Sequence, residues 1–126
     1  MSKDNQIQNS VSEETLKAFH LMWDPFPHSV LLLKKSRTIV DANAKALNRG
    51  VVLGKKCYAL GKGSNGVHPG CLADEALEAG EARRIFSIRD GRVVDAYWLP
   101  ITGEEDLFIH FTIYSTEKKE EEQQRS

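Results

Sequence analysis

Two thiols and an imidazole, Cys57, His68 and Cys71, fall within the glycine-rich stretch from Gly54 to Cys71. Thiolates and imidazole donate well to zinc or iron, and His-x-x-Cys spacing lets two donors reach one ion. A closed structural zinc site needs four ligands, and His20, His28 and His110 belong to other elements. No stoichiometric metal is therefore expected. The same cysteines are a candidate redox pair, since a Cys57–Cys71 disulfide would close a loop worth roughly 3 kcal/mol on the chain-entropy model. The plainer reading is two partly buried cysteines flanking an irregular loop, with His68 facing solvent. Gly61 to Gly66 repeats the glycine spacing of a dinucleotide-binding turn, but Val67-His68-Pro69-Gly70 cannot continue as the helix that such a turn requires. A flexible loop is the expectation there.

A second set of candidates lies on predicted strands, where Tyr97, Trp98, Phe108 and Phe111 are interleaved with Asp95, His110 and Thr112. If one face of these strands lines a cavity, Tyr97, His110, Thr112 and Phe111 are the candidate ligand contacts. Successive strand residues point to opposite faces, so Tyr97 and Trp98 cannot share one pocket. An exposed Trp98 would suit an interface, where large aromatics dominate the energetics. No Ser-His-Asp or paired-carboxylate constellation emerges, and a non-enzyme is expected.

The elements that must position these groups follow from periodicity. Residues 1–10 are polar. A helix then begins at Ser10, which forms a capping box with Glu13, or at Ser12, which places Glu13 and Glu14 in the first turn. Val11, Thr15, Ala18, Phe19, Met22 and Trp23 form its apolar stripe, and Pro25 ends it. Residues 29–34 and 37–41 read as a hairpin, followed by a short alanine-rich helix over 42–47 capped by Asp41 or Asn43. Another helix, Leu72 to Ala79, ends at Gly80. From Glu81 the period changes to two: strands are predicted at 82–89, 92–101 and 107–115, with Asp90-Gly91 as a type I′ turn and Thr102 to Asp106 as the next turn. The order gives an α+β domain in which short helices cover one face of an antiparallel sheet.

Whole-chain properties narrow the partners. A length of 126 residues suits one domain with a single core. The formal net charge of −1 lacks the basic field needed for nonspecific nucleic-acid or anionic-membrane binding. The apolar run Val30 to Leu33 is too short to span a bilayer, and the N-terminus has no secretion-signal core. A cytoplasmic location with reduced thiols is the expectation.

In order and spacing, several strings resemble a PAS domain. They are Ile39-Val-Asp-Ala-Asn43, Leu53 to Tyr58, Ala76 to Gly80, Asp90-Gly91, Tyr97 to Ile101 and the closing strand Phe108 to Thr116. The resemblance implies a five-stranded antiparallel sheet with short helices on one face, an N-terminal flanking helix and a small internal cavity. It divides the chain into a leader and flanking helix (1–24), a sensor domain (25–116) and a charged tail (117–126). From Gly54 to Gly80 the chain resembles PAS domains of bacterial histidine kinases, with His68 in place of the first cysteine of a later pair. Tyr114-Ser115-Thr116 lacks the acidic residue with which such domains commonly end. There is no flavin motif, and the helix Leu72 to Ala79 carries no histidine to ligate haem. The implied function is a bacterial sensory module that binds a small ligand and signals through protein contacts, for instance to a separate histidine kinase or regulator. The alternative is a ligand-free dimerisation or interaction domain. Phe19, Met22 and Trp23 must be covered, either by the helix folding back on its own sheet or by a twofold mate. A homodimer through Phe19, Met22, Trp23 and Trp98 is the expectation.

Overall fold

The computed structural model describes residues 11–59, 66–67 and 70–116. Helix α1 spans Glu13–Trp23, and Ser12 is its cap: the Oγ accepts from the Thr15 amide at 3.1 Å. Ser10, the alternative cap, lies outside the described residues. Strands β1 (Leu31–Lys34) and β2 (Ile39–Ala42) form the first hairpin, and α2 (Ala44–Asn48) follows. A single 3-10 turn, Cys57–Ala59, and α3 (Ala73–Ala79) lead into β3 (Arg83–Arg89), β4 (Arg92–Ile101) and β5 (Glu104–Thr116). Gly80 closes α3 in the left-handed conformation, as its position predicts.

Among the described residues five strands make one antiparallel sheet in the order β2-β1-β5-β4-β3. Asp90 and Gly91 both have positive φ (52° and 76°), the backbone that a type I′ turn requires. The next turn is tighter than the predicted one. Ile101 pairs directly with Glu104, so β5 begins at Glu104 and not near Leu107. Gly103, at φ 86°, lets the chain reverse over two residues, and a bulge between Pro100 and Ile101 absorbs the proline that cannot donate to the ladder.

The sheet is covered on both sides. On one face Leu31, Leu33, Ile39, Ala96, Trp98 and Phe108 pack with Ala42, Ala46, Ala73 and Ala76, which bring α2 and α3 close. On the other, Val30, Leu32, Val40, Leu107, Ile109 and Phe111 pack with Phe19, Leu16, Trp23 and Phe26. Helix α1 thus folds back on its own sheet. Phe19 (4% exposed) and Trp98 (5%), expected at an interface, are buried in the chain's own core. Half-buried Trp23 faces the same core as Phe19, and Trp98 lies on the opposite face beneath α2 and α3. Met22 remains exposed, beside exposed Leu21.

Candidate functional site

Between the inner face of the sheet and the segments that carry Cys57 and Gly70-Cys71 lies a cavity of about 180 Å³. Its sheet wall is Val94, Ala96, Trp98, Phe108, His110, Thr112 and Tyr114, and Arg37 closes it from the β1–β2 turn. Trp98 and His110 are cross-strand partners and stack at 4.9 Å with their planes 16° apart. His110 Nδ1 lies 2.8 Å from the Tyr97 carbonyl. A carbonyl only accepts, so the proton sits on Nδ1, and the ring is held flat against the indole. Cys57 and Cys71 are free thiols, and both line the cavity. Burial pushes the Cys57 thiol above its ordinary pKa, and the neighbouring Cys71 adds to the shift, so it is neutral at neutral pH.

Arg37 is the residue that sequence reasoning missed. A basic residue in a hairpin turn reads as solvated, yet Arg37 is 3% exposed. It adopts φ 74°, a left-handed backbone that costs a residue with a Cβ roughly 1–2 kcal/mol. The backbone is held by the Arg37 amide donating to the Lys34 carbonyl at 2.7 Å, and by the Arg37 carbonyl accepting from the Cys57 amide at 2.9 Å. Nη1 donates to the Lys35 carbonyl and to Asp74 Oδ1 at 3.1 Å, and the guanidinium carbon lies 5.8 Å from the centre of the Phe108 ring. Burial works against the charge, but Asp74 and the adjacent Cys71 more than offset it, and the group stays protonated. Nε has no hydrogen-bond partner among the described residues. The other buried side-chain polar atom without one among the described residues, Ser87 Oγ, does not line the cavity.

The predicted contacts divide between the faces. His110 and Thr112 line the cavity, whereas Tyr97 and Phe111 stack on each other at 5.1 Å beneath α1. A wider, more open cleft of about 470 Å³ adjoins the cavity where β5 runs on past His110, the partner of Leu31 at the start of β1. His110, Phe111 and Thr112 border it together with His28, Arg49 and Val51. His68 lies outside the described residues. Among those described, no three His, Cys, Asp or Glu side chains are grouped to hold a metal ion.

A second polar cluster pins α1. His20 Nδ1 lies 2.9 Å from Asp24 Oδ1, and Nε2 lies 2.9 Å from Oδ2 of buried Asp41. Only an imidazolium donates to both carboxylates at once. Burial opposes that charge, but the bond to Asp24 and the charge of Asp41 outweigh it and raise the His20 pKa. Asn43 completes the pin. Its Oδ1 accepts from the Val30 and Ala46 amides, and its Nδ2 donates to the Trp23 and His28 carbonyls.

This architecture is shared with solved structures. A domain of an HTR-like protein from Haloarcula marismortui is 21% identical over 71% of this chain and 99% of its own, with a TM-score of 0.56. The PAS domain of BvgS from Bordetella pertussis is 23% identical over 89% of this chain and 94% of its own, with a TM-score of 0.58. The chain has the PAS fold. A sensory box sensor histidine kinase from Vibrio cholerae is similar in the same way, at 15% identity over 86% of this chain and 94% of its own, with a TM-score of 0.55. No protein-family profile and no curated protein matches the sequence. In this PAS fold no helix among the described residues is long and apolar enough to cross a membrane.

Proposed function

We propose that the chain is a non-catalytic sensory module that binds a small molecule in the cavity behind Trp98 and passes the occupancy to a separate signalling protein. The observation that carries this reading is the cavity itself: space bordered by a buried arginine whose Nε has no acceptor among the described residues. Protein interiors rarely leave such space unless something occupies it. Strand β5 supplies the relay. His110 and Thr112 face the cavity while the intervening Phe111 touches Trp23 of α1 at 5.5 Å, so a shift of β5 on ligand entry is felt by the flanking helix. The receiving protein is of the histidine-kinase or response-regulator kind, consistent with the sensor kinase among the similar structures. A cytoplasmic location, which keeps Cys57 and Cys71 as thiols, belongs to the same reading.

Native mass spectrometry of protein purified without added ligand tests it. A stoichiometric small-molecule adduct, lost when Ala96→Leu fills the cavity, is the expected outcome. Empty protein together with an unchanged thermal midpoint across a metabolite panel would count against sensing.

One observation favours the second reading, an interaction domain that forms homodimers. Phe86 and Ile88 on β3 and Leu21 and Met22 on α1 are each at least half exposed, more apolar surface than water tolerates at no cost. Sedimentation at micromolar concentration separates the two: a dimer that dissociates in a Met22→Glu, Phe86→Glu variant supports the interaction domain.

A further inference from the structure

We propose that the cavity recognises a small monocarboxylate, gripped by Arg37. The inference rests on the reading of the cavity as a ligand site and assigns its chemical class. Three departures from what a hairpin turn needs meet at this one residue. A left-handed turn position is occupied by arginine where glycine would be unstrained. Its side chain is folded inward and 3% exposed, when a turn arginine has water within reach. Among the described residues Nε is left without an acceptor, a state that buried donors almost never keep. A strained, buried arginine that lines the cavity and keeps a donor without an acceptor among the described residues points to an acceptor supplied from outside.

The class follows from what the guanidinium has already spent. Nη1 is engaged by the Lys35 carbonyl and Asp74, and the Cys71 side chain also interacts with the guanidinium, so what remains is the edge at Nε, the atom with no acceptor among the described residues. That edge matches the planar, two-oxygen geometry of a carboxylate. Asp74 is half exposed and already balances part of the positive charge, so a singly charged anion suits the site better than a dianion such as phosphate. Val94, Ala96, Trp98 and Phe108 give the rest of the ligand an apolar enclosure, with the Trp98–His110 stack as a flat wall. At about 180 Å³ the space equals that of about six waters, which admits a short-chain acid or a single-ring aryl acid.

The test uses the full chain, labelled with nitrogen-15, and four probes: propionate and benzoate with their uncharged counterparts propionamide and benzamide. The Arg37 Nε–H and Trp98 indole N–H signals are followed through each titration. At least one acid should move both signals saturably, and its amide should bind about tenfold more weakly or worse. Arg37→Gln, with its amide spectrum confirming the fold, should erase the difference between acid and amide. Arg37→Lys, which keeps the charge but not the fork, should fall between. If Arg37→Gln does not fold, the acid–amide comparison in the unaltered protein decides alone. Amides that bind as well as acids, or acids that bind Arg37→Gln unchanged, overturn the carboxylate assignment and leave the cavity reading standing. If none of the four probes moves either signal, the assignment also falls, and the native mass spectrum then decides separately whether the cavity holds any other molecule.

Discussion

The two faces of the sheet are built from different materials. Under α1, large rings meet directly: Phe111 lies 5.1 Å from Phe26, 5.1 Å from Tyr97 and 5.5 Å from Trp23. Under α2 and α3, small residues meet the sheet, with Ala42, Ala46, Ala73, Ala76 and Ala96 at the contact. Rings fill space, and alanines let backbones approach but leave gaps wherever the covering segment departs from a helix. The polar groups divide in the same way: around α1 the His20 and Asn43 side chains are well partnered, whereas Arg37 on the inner side is not. Both faces keep some space, about 220 Å³ beside α1 and about 180 Å³ on the inner side, but only the inner space is bordered by a buried charged side chain.

Truncating a ring on the α1 face should produce the largest effect. Phe111→Ala is expected to cost about 3–5 kcal/mol of unfolding free energy in urea, as for other large-to-small changes in tight cores. A cost below about 1 kcal/mol would mean that the outer face is as loosely packed as the inner. Next comes Asn43→Ala, which strips partners from the Val30 and Ala46 amides and the Trp23 and His28 carbonyls, and is expected to cost about 2–4 kcal/mol in the same measurement.

The His20 cluster gives a smaller effect with a definite sign. The folded-state pKa of His20 is raised above the ordinary 6.5 of the unfolded chain. Its contribution to α1 docking is therefore fully present below about pH 6.5 and is lost as pH rises through the folded-state value. Hydrogen exchange of the α1 amides should quicken over that window beyond its intrinsic pH dependence, and His20→Gln should remove the step. A step that survives in His20→Gln would assign it to another group. The smallest effect is expected on the inner face: Ala96→Val should change stability by less than about 1 kcal/mol, because the added methyls enter existing space. A loss of several kcal/mol would show that the space is not available.

The architecture was largely legible because its signals are local. The change of period at Glu81, the Asp90-Gly91 turn and the Gly80 cap each act within a few residues, and the structure places all three as expected. The early start of β5 was hidden because Glu104-Glu105-Asp106 is polar and reads as turn, although a tight reversal at Gly103 makes it strand. The candidate site was only half legible. Alternation showed that Tyr97 and Trp98 must part, but not which face would hold a cavity. Arg37 gave no signal at all, since an inward arginine and an outward one are the same letter. Whether α1 would cover its own sheet or a partner's was open for a similar reason: the stripe of Phe19 and Trp23 states a need for burial and not its address.

The strand order carries a consequence for the order of assembly. The meander β3-β4-β5 and the hairpin β1-β2 each pair residues close in sequence, and among the described residues the sheet joins the two at β1–β5, where residues 31–34 meet residues 107–110. Closing so long a loop is entropically slow, so this seam is the expected late event in folding. The cavity straddles it, with Arg37, Cys57 and Cys71 from the first half and Trp98 and His110 from the second. A ligand held there bridges the two halves. It should slow unfolding more than it speeds folding, because the site exists only after the seam has closed.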